Sequence, residues 1–239
     1  MRVFLINLDK DTDRLAAADA QLKGQGVDYE RFPAVYAKAL PQAELDKAVN
    51  TFRWWCCVGR PVIAGEIGCA LSHYTLYRKM IDEGIAYACI LEDDVVMDES
   101  FRQTLDSVER WLDSGKPQVV LLSNNLNLPE YGEDICERSA GLFTESYVIT
   151  MPAARALLKE NMPLRTPCDH WGRWVSHGAI RLYAATPAPC RQNWTDYESN
   201  MAEGNPLIVR DLPLLPRLAH KAKRLVGVTI DRLLCLMGR

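Results

Sequence analysis

Five apolar residues, Tyr87-Ala88-Cys89-Ile90-Leu91, run directly into three consecutive carboxylates, Glu92-Asp93-Asp94. A run this short, opened by a turn signal at Glu83-Gly84, reads as a strand covered on both faces rather than as a helix. Such a strand needs sheet neighbours beside it and helices above and below, which places the chain in the α/β class. The acidic triplet would then leave the core at the strand's carboxyl end, where open α/β sheets bind their ligands. Three adjacent carboxylates repel one another, and a hard cation that prefers oxygen, Mg²⁺ or Mn²⁺, relieves that repulsion. A solvated acidic turn is the plain alternative, and the triplet alone does not decide between them.

The residues on either side extend the pattern. Val3, Phe4, Leu5, Ile6 and Leu8 predict a first strand that breaks into the polar run Asp9 to Arg14. Asp11 or Thr12 can cap a following helix whose buried face is Leu15, Ala18 and Leu22 and whose stop is Gly24-Gln25-Gly26. Asn7 and Arg14 flank that turn, where an amide can read a base or ribose and a guanidinium can meet phosphate. Arg14 is equally at home as a solvated first-turn residue. Tyr29 to Val35 predicts a second strand, and alternating strands and helices favour a parallel sheet.

Ile67, Leu71, Tyr74, Arg78 and Ile81 set a helix between Gly65 and Gly84 that leads into the acidic strand. His73, one turn from Cys69 and Tyr77, is expected to be a hydrogen-bonded supporting residue behind the site. Trp54 and Trp55 beside Cys56 and Cys57 lie in a weakly patterned connection, and aromatics there are expected to be core before they are sugar platforms. After the triplet, Phe101 to Leu112 predicts a helix and Gln118 to Leu122 a buried strand, with Ser123 and Asn124 at its carboxyl end. Phe143 to Met151 predicts a strand, Pro152 opens a helix, and another strand falls near Arg181 to Ala184. Asp169, in TPCDHWGRWVSHG, lies near a helix start, where it could cap the helix or project into a cleft.

Composition removes several classes of function. At 239 residues, with 48% hydrophobic and 25% charged residues and a net charge of -3, the chain is an ordinary globular protein. Its body has no Lys/Arg-rich patch interleaved with aromatics, so a nucleic-acid partner is not expected. There is no GxGxxG after the first strand, which argues against a dinucleotide-dependent oxidoreductase. No CxxC or HExxH is present and zinc is not expected. The eight cysteines lie largely in apolar runs behind an N-terminal strand, which suits reduced cytosolic thiols better than a secreted disulfide framework. Beyond Pro206, Pro213 and Pro216, the stretch Arg217 to Arg239 holds six basic residues against Asp231, or +5, leaving -8 on residues 1–216. Leu218, Ala222, Leu225, Thr229, Leu233 and Leu236 recur there at helical spacing, which predicts a helix lying on an anionic membrane surface or, failing that, packing on the body.

Several motifs occur together and in order: VFLINLDKDTDR, ERFPAV, GEIGCALSH, ILEDDV, and the weaker SYVITMPAA and PCD. In these the chain resembles glycosyltransferase family 25, the lipooligosaccharide-type galactosyltransferases. The resemblance implies a GT-A fold: a single Rossmann-like α/β domain over residues 1–205, with a mostly parallel central sheet flanked by helices. Residues 206–239 would form a Pro-punctuated linker and basic tail. It also implies an inverting transfer of a hexose, galactose from UDP-galactose being foremost, to a glycolipid or oligosaccharide acceptor of the lipopolysaccharide type. The enzyme would be cytoplasmic, held at the inner face of a bacterial inner membrane through its tail.

On that reading Asp94 and Glu92 resemble an Asp-x-Asp pair holding Mn²⁺ or Mg²⁺. Asn7, Arg14, Glu92, Asp93, Ser123 and Asn124 would contact the donor. Asp169 would be the base, with Asp196 in reserve and His73 in support. Cys168 departs from the aliphatic residue more usual before that aspartate. A metal-dependent phosphate-ester hydrolase and a non-catalytic nucleotide-sugar-binding module are the alternatives.

Overall fold

Strand alternation decides the layering of this protein. Phe4 and Ile6 are buried in one hydrophobic cluster, and Val3 and Leu5 in a second. Ala88 and Ile90 follow the first pair while Cys89 and Leu91 follow the second, because successive side chains of a strand leave opposite faces. A sheet buried on both sides is therefore built into the two runs that the sequence marks most strongly.

A computed structural model describes residues 1–124, 134–193 and 206–208. The elements in chain order are β1 (Arg2–Asn7), α1 (Thr12–Gly24), β2 (Glu30–Pro33), α2 (Gln42–Ala48), α3 (Thr51–Val58), β3 (Val62–Ile63), α4 (Ala64–Asp82), β4 (Tyr87–Glu92) and β5 (Val95–Met97). They continue as α5 (Phe101–Trp111), β6 (Gln118–Leu121), β7 (Ile135–Arg138), β8 (Ser146–Thr150), α6 (Met151–Asn161), α7 (Trp171–Ser176), β9 (Arg181–Ala185), β10 (Cys190–Gln192) and β11 (Pro206–Ile208).

The central sheet has seven strands in the order β2-β1-β4-β8-β6-β9-β7. β1 pairs in parallel with β2 and β4, and β6 with β9. β8 enters antiparallel between β4 and β6, and β7 closes the far edge antiparallel to β9. Residues of α4, α6 and α7 pack in the cluster with Phe4 and Ile90, and residues of α1 and α5 in the cluster with Leu5 and Leu91. This is the helix-flanked, mostly parallel sheet of a GT-A-like fold.

The predicted connection between Tyr36 and Ala64 contains α2 and α3, and its tryptophans are core, Trp54 being 1% and Trp55 9% exposed. β5, β7 and β10 went unread because runs of only three or four residues are too short to carry a period. β11 pairs antiparallel with β3, so the stretch assigned to a linker begins with a strand that meets the body. Asp196 and the basic tail Arg217 to Arg239 lie outside the described residues.

One close approach shapes the site. A Cβ on Gly68 would lie 2.6 Å from the Val35 carbonyl oxygen, so only glycine lets α4 run this near the loop that follows β2. Ser72 ties the same loop down, accepting from Val35 N at 2.8 Å and donating to Gly68 O at 2.7 Å. Gly68→Ala must push backbone rather than a flexible side chain, and a loss of about 1–3 kcal/mol in urea unfolding is expected.

Candidate active site

A cavity of about 380 Å³ opens at the carboxyl edge of the parallel strands. The turn after β1 supplies Asn7, Asp11 and Arg14, the loop after β2 supplies residues 34–38, and α4 supplies Glu66, Gly68, Cys69 and His73. The opposing parts are Glu92, Asp93 and Asp94 after β4, residues 143–145 ahead of β8, residues 167–170 ahead of α7, and Gln192. Because β8 runs against its neighbours, its entry reaches the same edge that its neighbours reach by leaving, which is why Thr144 and Glu145 meet the acidic triplet.

The three carboxylates have separate environments. Strand alternation would send Glu92 and Asp94 the same way, but Asp93-Asp94 form a turn into β5 and each side chain takes its own partners. Asp93 Oδ2 accepts from Asn7 Nδ2 at 2.7 Å, and its Oδ1 meets Arg14 at 3.3 Å. Burial raises its carboxyl, and Asn7 and Arg14 oppose the rise. The Asn7 amide also donates to Asp11 O at 2.9 Å and accepts from Arg31 Nε at 2.9 Å. Asn7 and Arg14, read as donor contacts, thus line the cavity while holding Asp93.

Glu92 Oε1 accepts from Thr144 Oγ1 at 2.6 Å and lies 3.1 Å from His73 Nε2. Burial would raise this carboxyl, but the His73 and Thr144 contacts outweigh it and hold it below the usual range. Asp94 is the exception. Gln192 Nε2 donates to its Oδ2 at 2.9 Å, whereas Oδ1 is buried with no hydrogen-bond partner among the described residues. Burial first, then the charges of Glu92 and Asp93, push it up to about 6. An orphaned, destabilised carboxylate oxygen beside two further carboxylates is the environment a hard cation relieves, so the residues present fit Mg²⁺ or Mn²⁺.

Behind the triplet lies a buried polar chain. Tyr77 OH and Tyr147 OH are 2.7 Å apart, Tyr147 OH is 2.7 Å from His73 Nδ1, and His73 reaches Glu92. Burial alone would lower the His73 imidazole, but contact with Cys69 and Glu92 carries it up to about 9. His73 thus lines the cavity and also contacts Glu92 within it. Tyr147→Phe would leave Tyr77 OH and His73 Nδ1 buried without the hydroxyl between them. Thermal unfolding of that variant should show a loss of about 1–3 kcal/mol.

Asp169 lines the cavity ahead of α7 and accepts from Phe143 N at 3.3 Å. The helix begins at Trp171 and its N-cap is His170, so Asp169 is not the cap. Ser123 and Asn124 stand at the end of β6, as expected, but are not among the described residues lining the cavity. Ser123 forms a bridge to Cys190.

Gln192 and the Arg60–Glu66 pair were not legible in the sequence. Gln192 reaches Asp94 because β10 pairs antiparallel with β5. Arg60 donates to both oxygens of Glu66, at 2.9 and 2.5 Å, and Glu66 Oε2 also accepts from Ile63 N at the start of α4. The spacing Arg60 to Glu66 gives no periodic signal, although Glu66 lies within the GEIGCALSH motif.

The sheet and its acidic cleft define an α/β protein with a cavity at the carboxyl edge of its sheet, the edge where open α/β sheets bind ligands. Residues 1–171 match the family model of Glycosyltransferase family 25 (LPS biosynthesis protein), and the chain belongs to that family. It is 31% identical over 183 residues to procollagen galactosyltransferase 1-A of Xenopus laevis, covering 71% of this chain and 30% of the relative. It is 29% identical over 208 residues to a glycosyltransferase 25 family member of Anopheles gambiae, covering 78% and 35%. With procollagen galactosyltransferase 2 of Homo sapiens it shares 28% over 174 residues, covering 66% and 27%. The chain thus spans about a third of the length of these relatives.

Proposed function

We propose that this protein is an inverting hexosyltransferase that moves galactose from UDP-galactose to a saccharide hydroxyl of a lipooligosaccharide, lipopolysaccharide or related surface glycan. The observation that carries the reading is Asp94 Oδ1, buried without a partner in the cleft of a family 25 chain. The galactosyltransferase names of its relatives support the choice of sugar.

Asp94 would hold Mn²⁺ or Mg²⁺, with Glu92 offering the oxygen that His73 and Thr144 do not engage. The bound cation supplies neutralisation of the donor's diphosphate. Gln192 fixes Asp94 through its second oxygen, and Arg14 and Asn7 fix Asp93 for the ribose side of the donor. Asp169 is the general base: it takes the proton of the acceptor hydroxyl as that oxygen attacks the anomeric carbon, and the sugar–phosphate bond breaks on the opposite face. Asp196 is the reserve for that role.

Incubating the protein with UDP-galactose and Mn²⁺, with and without a lactose- or glucose-ending acceptor, tests the reading by product mass. Transfer should appear only when acceptor is added. Equal release of galactose without acceptor would make the protein a hydrolase, and donor binding without turnover would make it a binding module.

The acceptor class also gives the basic tail a role, namely holding the enzyme at the inner leaflet beside a lipid-borne sugar. No helix of the described residues is long and apolar enough to cross a membrane. A chain ending at Pro216 should turn over a soluble acceptor normally yet no longer co-sediment with phosphatidylglycerol vesicles at low salt. Full-length protein that stays in the supernatant would remove the tail from the proposal.

A further inference from the structure

On the wall of the acidic cleft, four side chains with metal-binding atoms come together from three parts of the chain. Cys69 and His73 lie one turn apart on α4, Glu92 ends β4, and Cys168 precedes Asp169. The ligand atoms of Cys69, His73 and Glu92 all lie within 4.8 Å of one another, and Cys168 stands outside that group, joined to it through Cys69. Cys69 Sγ is 3.5 Å from Cys168 Sγ and 4.0 Å from Glu92 Oε1, and His73 Nε2 is 3.1 Å from Glu92 Oε1. Usual zinc bond lengths put the edges of a tetrahedral site at about 3.8 Å for S to S, about 3.6 Å for S to O and about 3.4 Å for N to O. The three measured separations depart from those edges by only a few tenths of an ångström.

We infer that Cys69, His73 and Glu92 form a zinc site that Cys168, beside Cys69, completes by a small movement, joining α4, the end of β4 and the segment carrying Asp169. Glu92 stands between this site and the one at Asp94, and the remaining donors set the two apart. Two sulfurs and an imidazole select a soft or borderline cation, whereas a carboxylate oxygen in a cleft selects a hard one. His73 and Cys168 form the buried side of the site, while Cys69 and Glu92 face the cleft. His73 is 1% exposed and Cys168 6%, and Tyr147 OH at 2.7 Å from Nδ1 orients the ring so that Nε2 faces the cluster. Thr144 Oγ1, which donates to Glu92 Oε1 and lies 3.6 Å from Cys69 Sγ, orients the carboxylate in the same way. Binding replaces the protons now shared within the cluster: both thiols become thiolates, and the protons of the thiols and of Nε2 pass to solvent. The spacing is invisible to a motif search because Cys69 and His73 supply only a helical pair, and Glu92 and Cys168 come from distant segments.

The test is independent of transferase activity. Full-length protein produced in zinc-supplemented medium and purified without chelator should carry one zinc per chain by plasma mass spectrometry. Exchange for Co²⁺ should give a thiolate charge-transfer band and the intense visible bands of a tetrahedral site. Cys69→Ser and Cys168→Ser should each abolish both signals, while Cys57→Ser keeps them. In the unaltered protein, zinc should protect Cys69 and Cys168 from alkylation and a chelator should expose them, a readout that needs no variant to fold. Protein without zinc or a cobalt band, zinc retained by both serine variants, or a Cys69–Cys168 disulfide in the zinc-exposed protein would overturn the inference.

Discussion

Asp94→Asn is expected to abolish cation-dependent transfer while leaving the protein folded. The substitution keeps the shape of the side chain and can keep the Gln192 contact, but it removes the charge a divalent cation needs. Losing electrostatic stabilisation of a departing diphosphate should lower turnover by roughly 10²–10³-fold or more. Stability should not suffer, because burial and the charges of Glu92 and Asp93 push the Asp94 carboxyl up to about 6, so its ionised form is unfavourable without a cation. Paired measurements of transfer with Mn²⁺ and of thermal unfolding check both halves. Near-normal turnover in a folded variant would remove Asp94 as the cation ligand.

The second large effect is expected at Asp169. Asp169→Asn should lower kcat by roughly 10²–10⁴-fold while UDP affinity changes little, since a base acts chiefly in the transition state. The carboxamide can still accept from Phe143 N, so the entry to β8 should hold its position. Calorimetric titration with UDP beside steady-state kinetics separates the two effects. A parallel fall in UDP affinity would make Asp169 a donor contact, and the search for the base would move to Asp196.

The parts of this protein that were legible in its sequence are those whose information is local. β1 and β4 announce themselves by unbroken apolar runs, α4 by spacing and its glycines, and the triplet by its charge. That the triplet sits at the carboxyl edge followed from the strand before it. What was not legible depends on pairing between distant segments. Asp94 could be named as a carboxylate in the cleft, but not Gln192, which reaches it from 98 residues away. Ser123 and Asn124 stand at the expected edge of the sheet but outside the cavity lining among the described residues, since a strand's carboxyl end does not by itself say which residues face a cavity. The amide of Asn7 was read as ligand-seeking, yet Asp93, Asp11 and Arg31 already surround it.

The β5–β10 ribbon also bears on how the protein is made. By the time the ribosome has passed β4 and β5, the acidic turn exists but the strand that braces it has not been synthesised. Gln192 and the Asn193 amide, which donates to Asp94 O at 2.8 Å, are synthesised only after β9. A nascent chain lacking β10 would hold Asp94 without either contact. The bracing of the acidic turn is therefore acquired late, and prematurely terminated chains would lack a finished cleft even with much of their sheet in place.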